Sequence, residues 1–327
     1  MSSEAIVQAQ NIQDEVQQEM EQGEDTVYGD TADSRRIGFN RKQDINKNSG
    51  TDRPDAPMTV SKRSREYNMR HEFRGRTVIF KYSEFRYGGP PGRECAEHDT
   101  DITEEAFKIL GFGVTVYSNL KKRDFIGALR QCAAKDHEEC DALVIVFMSH
   151  GFDKNGKEYL NLYDDDIETS ELWKEFTPDK CPGLAGKPKL FFIQACRGEN
   201  TDKGVNLKAR KGMSVMTDAM SAAADVQEDY AIPLHADMLM MWASYPGMFA
   251  FKSSNNGIGG SVFIHFLAKV LREDHQYDDL ATMLLTVTRE VAVQYESYCP
   301  GSDKLNHNKQ IPYTVSTLMR KMFFKTK

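Results

Sequence analysis

The sequence lacks the features that mark membrane, secreted and metal-stapled proteins. Its longest apolar run, residues 142–148, is far too short to span a bilayer. The N-terminus has no basic stretch followed by an apolar one, so we expect no secretory signal. The six cysteines include no Cys-x-x-Cys pair and no histidine at zinc-finger spacing, which predicts reduced thiols in the cytoplasm and no metal or other cofactor. The net charge of −7 argues against nucleic acid as a partner.

The composition that remains is that of an ordinary globular protein with an unusual first segment. The chain has 327 residues, of which 40% are apolar and 28% charged, enough for one large or two small domains. The first 60 residues hold 12 acidic and 6 basic side chains, with Tyr28 and Phe39 as their aromatic residues. Such a segment cannot bury enough apolar surface to offset the entropy of ordering it. We therefore expect disorder over residues 1–66 and an ordered chain from about Tyr67 onward.

The ordered part alternates strand and helix patterns. Short β-branched or continuous apolar runs predict strands at residues 77–82, 113–117, 141–149, 189–195, 238–243 and 311–318. Apolar residues at helical spacing predict helices at residues 101–110, 122–134, 261–271 and 278–298. Strands buried on both faces with helices between them indicate an α/β fold with a parallel sheet. The pattern lapses over residues 199–227, and a connection of this length is often functional.

Two of the predicted strands end in chemically reactive residues. One is followed by Ser149-His150-Gly151 and the other by Cys196. Ligand sites in open α/β sheets lie at the carboxyl ends of strands, so we expect this thiol and this imidazole to be neighbours. The imidazole can keep the thiol ionised, or it can take the thiol proton during attack. The amides of Gly151 and Cys196 are candidates for binding an oxyanion.

The residues around the thiol identify a family. Gln194-Ala195-Cys196-Arg197-Gly198, with His150 about 50 residues upstream, matches the caspase nucleophile signature. The chain resembles the caspases, the Asp-directed cysteine proteases, from about residue 67 to residue 324. The resemblance extends to residues 184–190, 232–238, 245–247 and 309–312. It implies a hydrolase in which Cys196 attacks the substrate carbonyl, His150 moves the proton and a carbonyl near Pro91 orients the imidazole.

The resemblance also implies an architecture and a life cycle. The fold would be a three-layer α-β-α sandwich around a six-stranded, mostly parallel sheet. A prodomain (1–66) would precede a large subunit (67–218) and a small subunit (219–327), with Asp218, Asp225 and Asp33 as candidate processing sites. The short polar tail places the protein among executioner-type caspases, which are zymogens cut by an initiator caspase during apoptosis. Two large/small subunit pairs would form a homodimer through residues 311–318, and caspase inhibitor proteins are candidate partners.

Specificity is where the sequence departs from the family pattern. The resemblance assigns substrate binding to Arg93, Gln194, Phe249, Phe251, Lys252 and Ser253. Lys252 stands where the family has a second arginine, and the loop after it is longer and richer in glycine. An ammonium is a point charge, whereas a guanidinium grips a carboxylate with a rigid fork.

Three functions remain open. The first is an active protease that cleaves proteins after aspartate. The second is a weakly active or inactive homologue that regulates another caspase by dimerisation, which the replacement at Lys252 favours. The third, a specificity for basic residues, would need carboxylates where the chain has Arg93 and Lys252.

Overall fold

A computed structural model describes residues 55–205, 231–254 and 257–325, all within one compact unit, Arg53–Lys327. The candidate processing sites Asp33, Asp218 and Asp225 lie outside the described residues, together with the acidic segment up to residue 54 and most of the predicted linker.

Hydrogen bonding to the fold begins before Tyr67, where the sequence predicts that order starts. The hydroxyl of Thr59 donates to the carbonyl oxygen of Gly186 at 3.2 Å. The backbone of Arg65 accepts a hydrogen bond from Lys321 near the C-terminus. The first described residues therefore already contact distant parts of the chain.

Within the described residues, the regular structure consists of eleven strands, four α-helices and two short 3₁₀ helices, Thr169–Leu172 and Pro182–Leu184. The strands are β1 (Phe73–Lys81), β2 (Gly113–Ser118), β3 (Cys140–Met148), β4 (Gly151–Lys154), β5 (Lys157–Asn161), β6 (Asp166–Glu168), β7 (Lys189–Gln194), β8 (Met238–Trp242), β9 (Lys252–Ser253), β10 (Gly260–Ser261) and β11 (Tyr313–Ser316). The helices are α1 (Ala96–Ile109), α2 (Lys122–Ala133), α3 (Val262–Asp274) and α4 (Leu280–Gln294).

The central sheet has six strands in the order β11-β8-β7-β3-β1-β2. Every neighbouring pair is parallel except β11 with β8, so the predicted six-stranded, mostly parallel sheet is confirmed. The chain runs from β1 outward to β2 and then returns to add β3 on the other side of β1. Segments that follow β1 and β3 consequently diverge at the carboxyl edge of the sheet, which is where ligands bind in open α/β folds.

Both faces of the sheet are covered, which explains why its inner strands are apolar throughout. All nine residues of β3 are buried. Val144 and Val146 pack in a core that includes α1, α3 and α4, whereas Ile145 and Phe147 pack in a second core with α2. Successive side chains of one strand thus pack into two separate cores, one on each face of the sheet. The predicted α-β-α layering is confirmed.

Several element boundaries differ from those that the sequence pattern predicts. Helix α4 begins at Leu280 because the carboxylate of Asp279 accepts from Ala281 N at 3.1 Å and from Thr282 Oγ1 at 2.9 Å, which caps the helix. It ends four residues earlier than predicted, where Tyr295 adopts an extended backbone.

The sequence pattern also missed a small antiparallel sheet, β4-β5-β6, that follows directly after His150. Its strands are short and half-polar, so they carry little periodic signal. Among the described residues, no helix has the length and apolar character needed to cross a membrane.

Candidate active site

Three strand ends meet at one edge of the sheet. Strands β3 and β7 are neighbours with Met148 opposite Gln194, and Ser149 N continues the ladder by donating to Gln194 O at 3.0 Å. His150 and Cys196 follow immediately on these two strands. The chain after β1 returns to the same edge, since the Pro91 carbonyl oxygen lies 2.9 Å from His150 Nε2. The predicted contact between His150 and the Pro91 carbonyl is therefore present.

The imidazole of His150 is oriented by that contact. A carbonyl oxygen only accepts hydrogen bonds, so Nε2 carries the proton and Nδ1 is left as the acceptor in the neutral ring. Burial lowers the pKa of His150; the Pro91 carbonyl opposes this, while the nearby cations Arg93 and Lys252 lower the pKa further. The ring therefore rests neutral at physiological pH, with Nδ1 free to accept a proton.

The thiol of Cys196 is half-buried and is held by the backbone of Ala250. Its Sγ accepts from Ala250 N at 3.4 Å and donates to Ala250 O at 3.7 Å. Within the described part of the chain these are its hydrogen-bond partners, and the His150 ring is not among them. Burial raises the pKa of Cys196, an effect that the contact with Ala250 and the charge of Arg93 only partly offset. The resting nucleophile is accordingly a neutral thiol.

Two backbone amides beside the thiol have no partner among the described residues. Asn161 N donates to His150 O at 3.0 Å, which makes Gly151 and Leu160 a non-hydrogen-bonded pair of the β4–β5 ladder. The N–H of Gly151 therefore points away from β5. The N–H of Cys196 follows the end of β7 and is likewise unpaired within the described hydrogen-bond network. Both N–H groups are therefore unpaired within the described residues, and their binding of an oxyanion stays a prediction.

Glycine is required at two positions of this edge for packing. A Cβ atom at Gly151 would lie 2.7 Å from the carbonyl oxygen of Cys196 and 3.0 Å from that of Tyr159. A Cβ atom at Gly198 would lie 2.5 Å from the carbonyl carbon of Gly247. The backbone around Cys196 thus touches its neighbours directly, a role that the sequence reasoning did not assign to either glycine.

The predicted substrate-binding residues lie around the two strand ends, and they differ in burial and in hydrogen bonding. Arg93 is buried and its Nη2 donates to Asp99 at 3.1 Å and to Ser261 Oγ at 3.2 Å. Gln194 is 5% exposed, and its Oε1 has no hydrogen-bond partner among the described residues. Lys252 is exposed at the start of β9.

The stretch that carries Lys252 is also the apolar part of the site. The rings of Phe249 and Phe251 have centroids 6.2 Å apart, and Phe251 continues to Tyr295 at 5.8 Å. Ser253 extends the same stretch and pairs with Gly260 across the β9–β10 ladder. These residues form one continuous ridge beside the thiol.

Sequence reasoning missed the residues that hold this ridge in place. Gln310 is buried; its Oε1 accepts from Phe251 N at 2.7 Å, and its Nε2 donates to Ala243 O at 2.8 Å. It therefore ties the ridge to the end of β8. Gln310 belongs to the segment 309–312 that resembles the family. The sequence therefore marked this residue as a family feature, but it did not predict what the side chain contacts. Asp99 and Ser261 carried no comparable signal, because single polar residues near helix starts are common.

The site contains no feature that points to a metal or a disulfide. Among the described residues, no group of three or more histidine, cysteine, aspartate or glutamate side chains could hold a metal ion. All six cysteines are free thiols. The groups that the described residues bring to this edge are a thiol, an imidazole, two unpaired backbone amides and the cations Arg93 and Lys252.

Comparisons with known proteins agree with this arrangement. A family model for the caspase domain matches residues 74–324. Caspase-1 of Spodoptera frugiperda is 36% identical over 269 residues, which cover 82% of this chain and 84% of that protein. Caspase drICE of Drosophila melanogaster is 32% identical over 272 residues, covering 83% of this chain and 76% of that protein. The crystal structure of Caspase-1 from Spodoptera frugiperda matches with a TM-score of 0.74 and 35% identity, over 84% of this chain and 100% of that chain.

The matched region includes every strand of the central sheet except the first residue of β1, and it includes the thiol, the imidazole and both unpaired amides. The chain belongs to the caspase family of cysteine-type endopeptidases.

Proposed function

We propose that this caspase is an active endopeptidase that cleaves proteins after aspartate. The observation that carries the proposal is the pair of unpartnered amides, Gly151 N–H and Cys196 N–H, beside a thiol and an oriented imidazole. Donors of this kind stabilise the oxyanion of acyl transfer, and removal of one such donor from a protease typically costs about 10²–10³ in rate.

Substrate recognition would use the cations and the amide at the edge. The carboxylate of the substrate aspartate would bind Lys252, Arg93 and the side-chain amide of Gln194. The residue before it would pack on Phe249 and Phe251, with Ser253 alongside. Both cations are close enough to His150 to lower its pKa, which supports a positively charged pocket next to the reacting groups.

The chemical steps follow from the protonation states. The thiol would leave its contacts with Ala250 as the substrate enters, and His150 Nδ1 would take its proton as Sγ attacks the carbonyl carbon. The N–H groups of Gly151 and Cys196 would bind the oxyanion. His150 would then protonate the leaving amine, which releases the first product and leaves an acyl-enzyme. A water molecule, deprotonated by His150, would hydrolyse the thioester and restore the thiol.

The cellular role that we propose is that of an executioner-type caspase in apoptosis, made as a zymogen and activated by an upstream protease. A homodimer would form through residues 311–318, which include β11 at one end of the central sheet and in which Val315 is 36% and Ile311 45% exposed. Caspase inhibitor proteins and protein substrates would be its partners in the cytoplasm. Cleavage at Asp33, Asp218 or Asp225 is part of this proposal.

The test is turnover of a peptide library by the purified chain, before and after cutting by an active initiator-type caspase. We expect cleavage after aspartate that disappears in Cys196→Ala. The second candidate, a regulator that dimerises with another caspase, rests on Lys252 in place of arginine. It would be favoured if the cut chain were inactive and Lys252→Arg restored turnover. Absence of turnover in both proteins would overturn the proposed protease.

A further inference from the structure

A buried carboxylate lies behind the candidate aspartate pocket. Asp99, in the first turn of α1, is fully buried. Its carboxylate accepts three hydrogen bonds: from Arg93 Nη2 at 3.1 Å, from Ser261 N at 2.8 Å and from Ser261 Oγ at 2.6 Å. A buried carboxylate is costly to desolvate unless its oxygens are paired in this way. These hydrogen bonds therefore hold Arg93 and Ser261 in a narrow range of positions relative to Asp99.

The groups that Asp99 binds come from both sides of the predicted linker. Arg93 precedes residues 199–227, whereas Ser261 follows them. Ser261 ends β10, directly opposite Lys252 in the β9–β10 ladder, and immediately precedes α3. A Cβ atom at Gly260 would collide with the Asp99 carboxylate, so the loop closes tightly on it. One carboxylate thus joins the arginine of the pocket to the ladder that carries the lysine.

The same contact changes the charge balance of the pocket. Arg93 is 7% exposed and its guanidinium is paired with Asp99, so its positive charge is partly compensated. Lys252 has no carboxylate partner among the described residues. The two cations are therefore not equivalent: Lys252 supplies the uncompensated charge, and Arg93 supplies donors whose direction is fixed from behind.

We propose that Asp99 is a positioning residue for substrate recognition, because it orients the guanidinium of Arg93 toward the same substrate carboxylate that Lys252 faces. The proposal rests on the proposed cleavage after aspartate. It predicts that Asp99 affects the discrimination between an aspartate and its uncharged isostere asparagine, and that this effect passes through Arg93.

The experiment measures peptide binding in full-length Cys196→Ala protein that has been cut by an active initiator-type caspase, so that no turnover is needed. Two fluorescent peptides differ only in aspartate or asparagine at the recognised position, and anisotropy gives each dissociation constant. We expect Asp99→Asn to weaken binding of the aspartate peptide about tenfold or more, with a smaller effect on the asparagine peptide. In an Arg93→Ala background, Asp99→Asn should produce no further loss of discrimination. Asp101→Asn, two residues along on the exposed face of α1, is the matched control.

Three results would overturn the inference: tighter binding of the aspartate peptide by Asp99→Asn, an equal loss for both peptides, or an unchanged loss of discrimination in the Arg93→Ala background. The first would mean that Asp99 only offsets the charge of Arg93, and either of the others would make Asp99 a purely structural residue. If Asp99→Asn does not fold, Ser261→Ala replaces it in the test, because this variant removes only the hydroxyl contacts. It should also reduce the preference for the aspartate peptide. If the parent Cys196→Ala protein itself fails to prefer the aspartate peptide, the proposed function fails first. If it prefers that peptide and the Asp99→Asn variant does so equally well, only the present inference fails.

Discussion

Lys252 allows the sharpest test of the pocket, because its charge should act on two measurable quantities. Replacement by methionine keeps the unbranched side chain and removes the charge. Since Arg93 is already paired with Asp99, the variant would remove the one of these two cations that has no carboxylate partner among the described residues. A hydrogen bond to a charged group contributes about 1.5–3 kcal/mol, so we expect kcat/KM for a peptide with aspartate to fall roughly 10–100-fold. The corresponding asparagine peptide should lose little.

The second quantity is the pH dependence. The charge of Lys252 helps to lower the pKa of His150, although burial is the larger cause. His150 acts as a base only when neutral, so activity is lost as the pH falls through its pKa. Removal of the lysine charge raises that pKa, and the acid limb of the kcat/KM profile should move to higher pH in Lys252→Met. Lys252→Arg keeps the charge and should leave the limb in place.

The assay is a set of kcat/KM profiles for the two peptides, from about pH 5 to pH 9, across the ordinary pKa of histidine. Lys252→Arg is the matched control and should recover or exceed the parental preference for aspartate, because a guanidinium offers the better fork. An unchanged ratio between the peptides in Lys252→Met would refute the assignment of Lys252 to the aspartate pocket. An acid limb that stays fixed or moves to lower pH would refute its electrostatic effect on His150.

Three further outcomes can be checked independently. Gly198→Ala should destabilise the protein by about 1–3 kcal/mol in thermal unfolding, because its Cβ atom would meet the backbone of Gly247, whereas Gly127→Ala in the open should be neutral or mildly stabilising; equal effects would contradict the packing argument. Alkylation of Cys196 by iodoacetamide should keep accelerating above pH 9.0, the ordinary thiol value, because its pKa is raised; a plateau near neutral pH would indicate a resting thiolate instead. Val315→Lys should convert a dimer into monomers in light scattering, since it places a charge on the outer strand β11; a dimer that persists would locate the interface elsewhere.

The fold was largely predictable because its strongest signals are local and periodic. The continuous apolar run of β3 and the helical spacing of apolar residues in α2 predicted the ends of both elements to within one residue. Helix boundaries failed where a local capping signal was not weighed, as at α4, whose start at Leu280 is set by the Asp279 cap one residue earlier. The β4–β6 sheet was missed for a related reason, since the Asn155-Gly156 turn between β4 and β5 is a local hairpin signal that the short, half-polar strands on either side do not reinforce with a clear period.

In the candidate site, the sequence predicted the residues that would carry the chemistry, but it did not predict the residues that support them. Cys196, His150 and Gly151 follow from strand ends and a motif, and the Pro91 carbonyl followed from the resemblance. The supporting residues did not, because their importance lies in pairings across the chain. Asp99 meets Ser261 across 162 positions of sequence, and Gln310 meets Phe251 across 59. A sequence without a structure assigns no particular partner to either residue.

The protonation state of the reacting pair is the step that sequence alone left open. An imidazole can hold a thiolate as an ion pair, or it can wait as a neutral base. Burial raises the pKa of Cys196 and lowers that of His150, and both shifts favour the neutral pair. Arg93 would stabilise a thiolate, yet the same charge opposes the imidazolium that an ion pair would require. The cations that bind a substrate carboxylate therefore also keep His150 unprotonated, and the arrival of that carboxylate would relieve the repulsion as the imidazole takes the thiol proton.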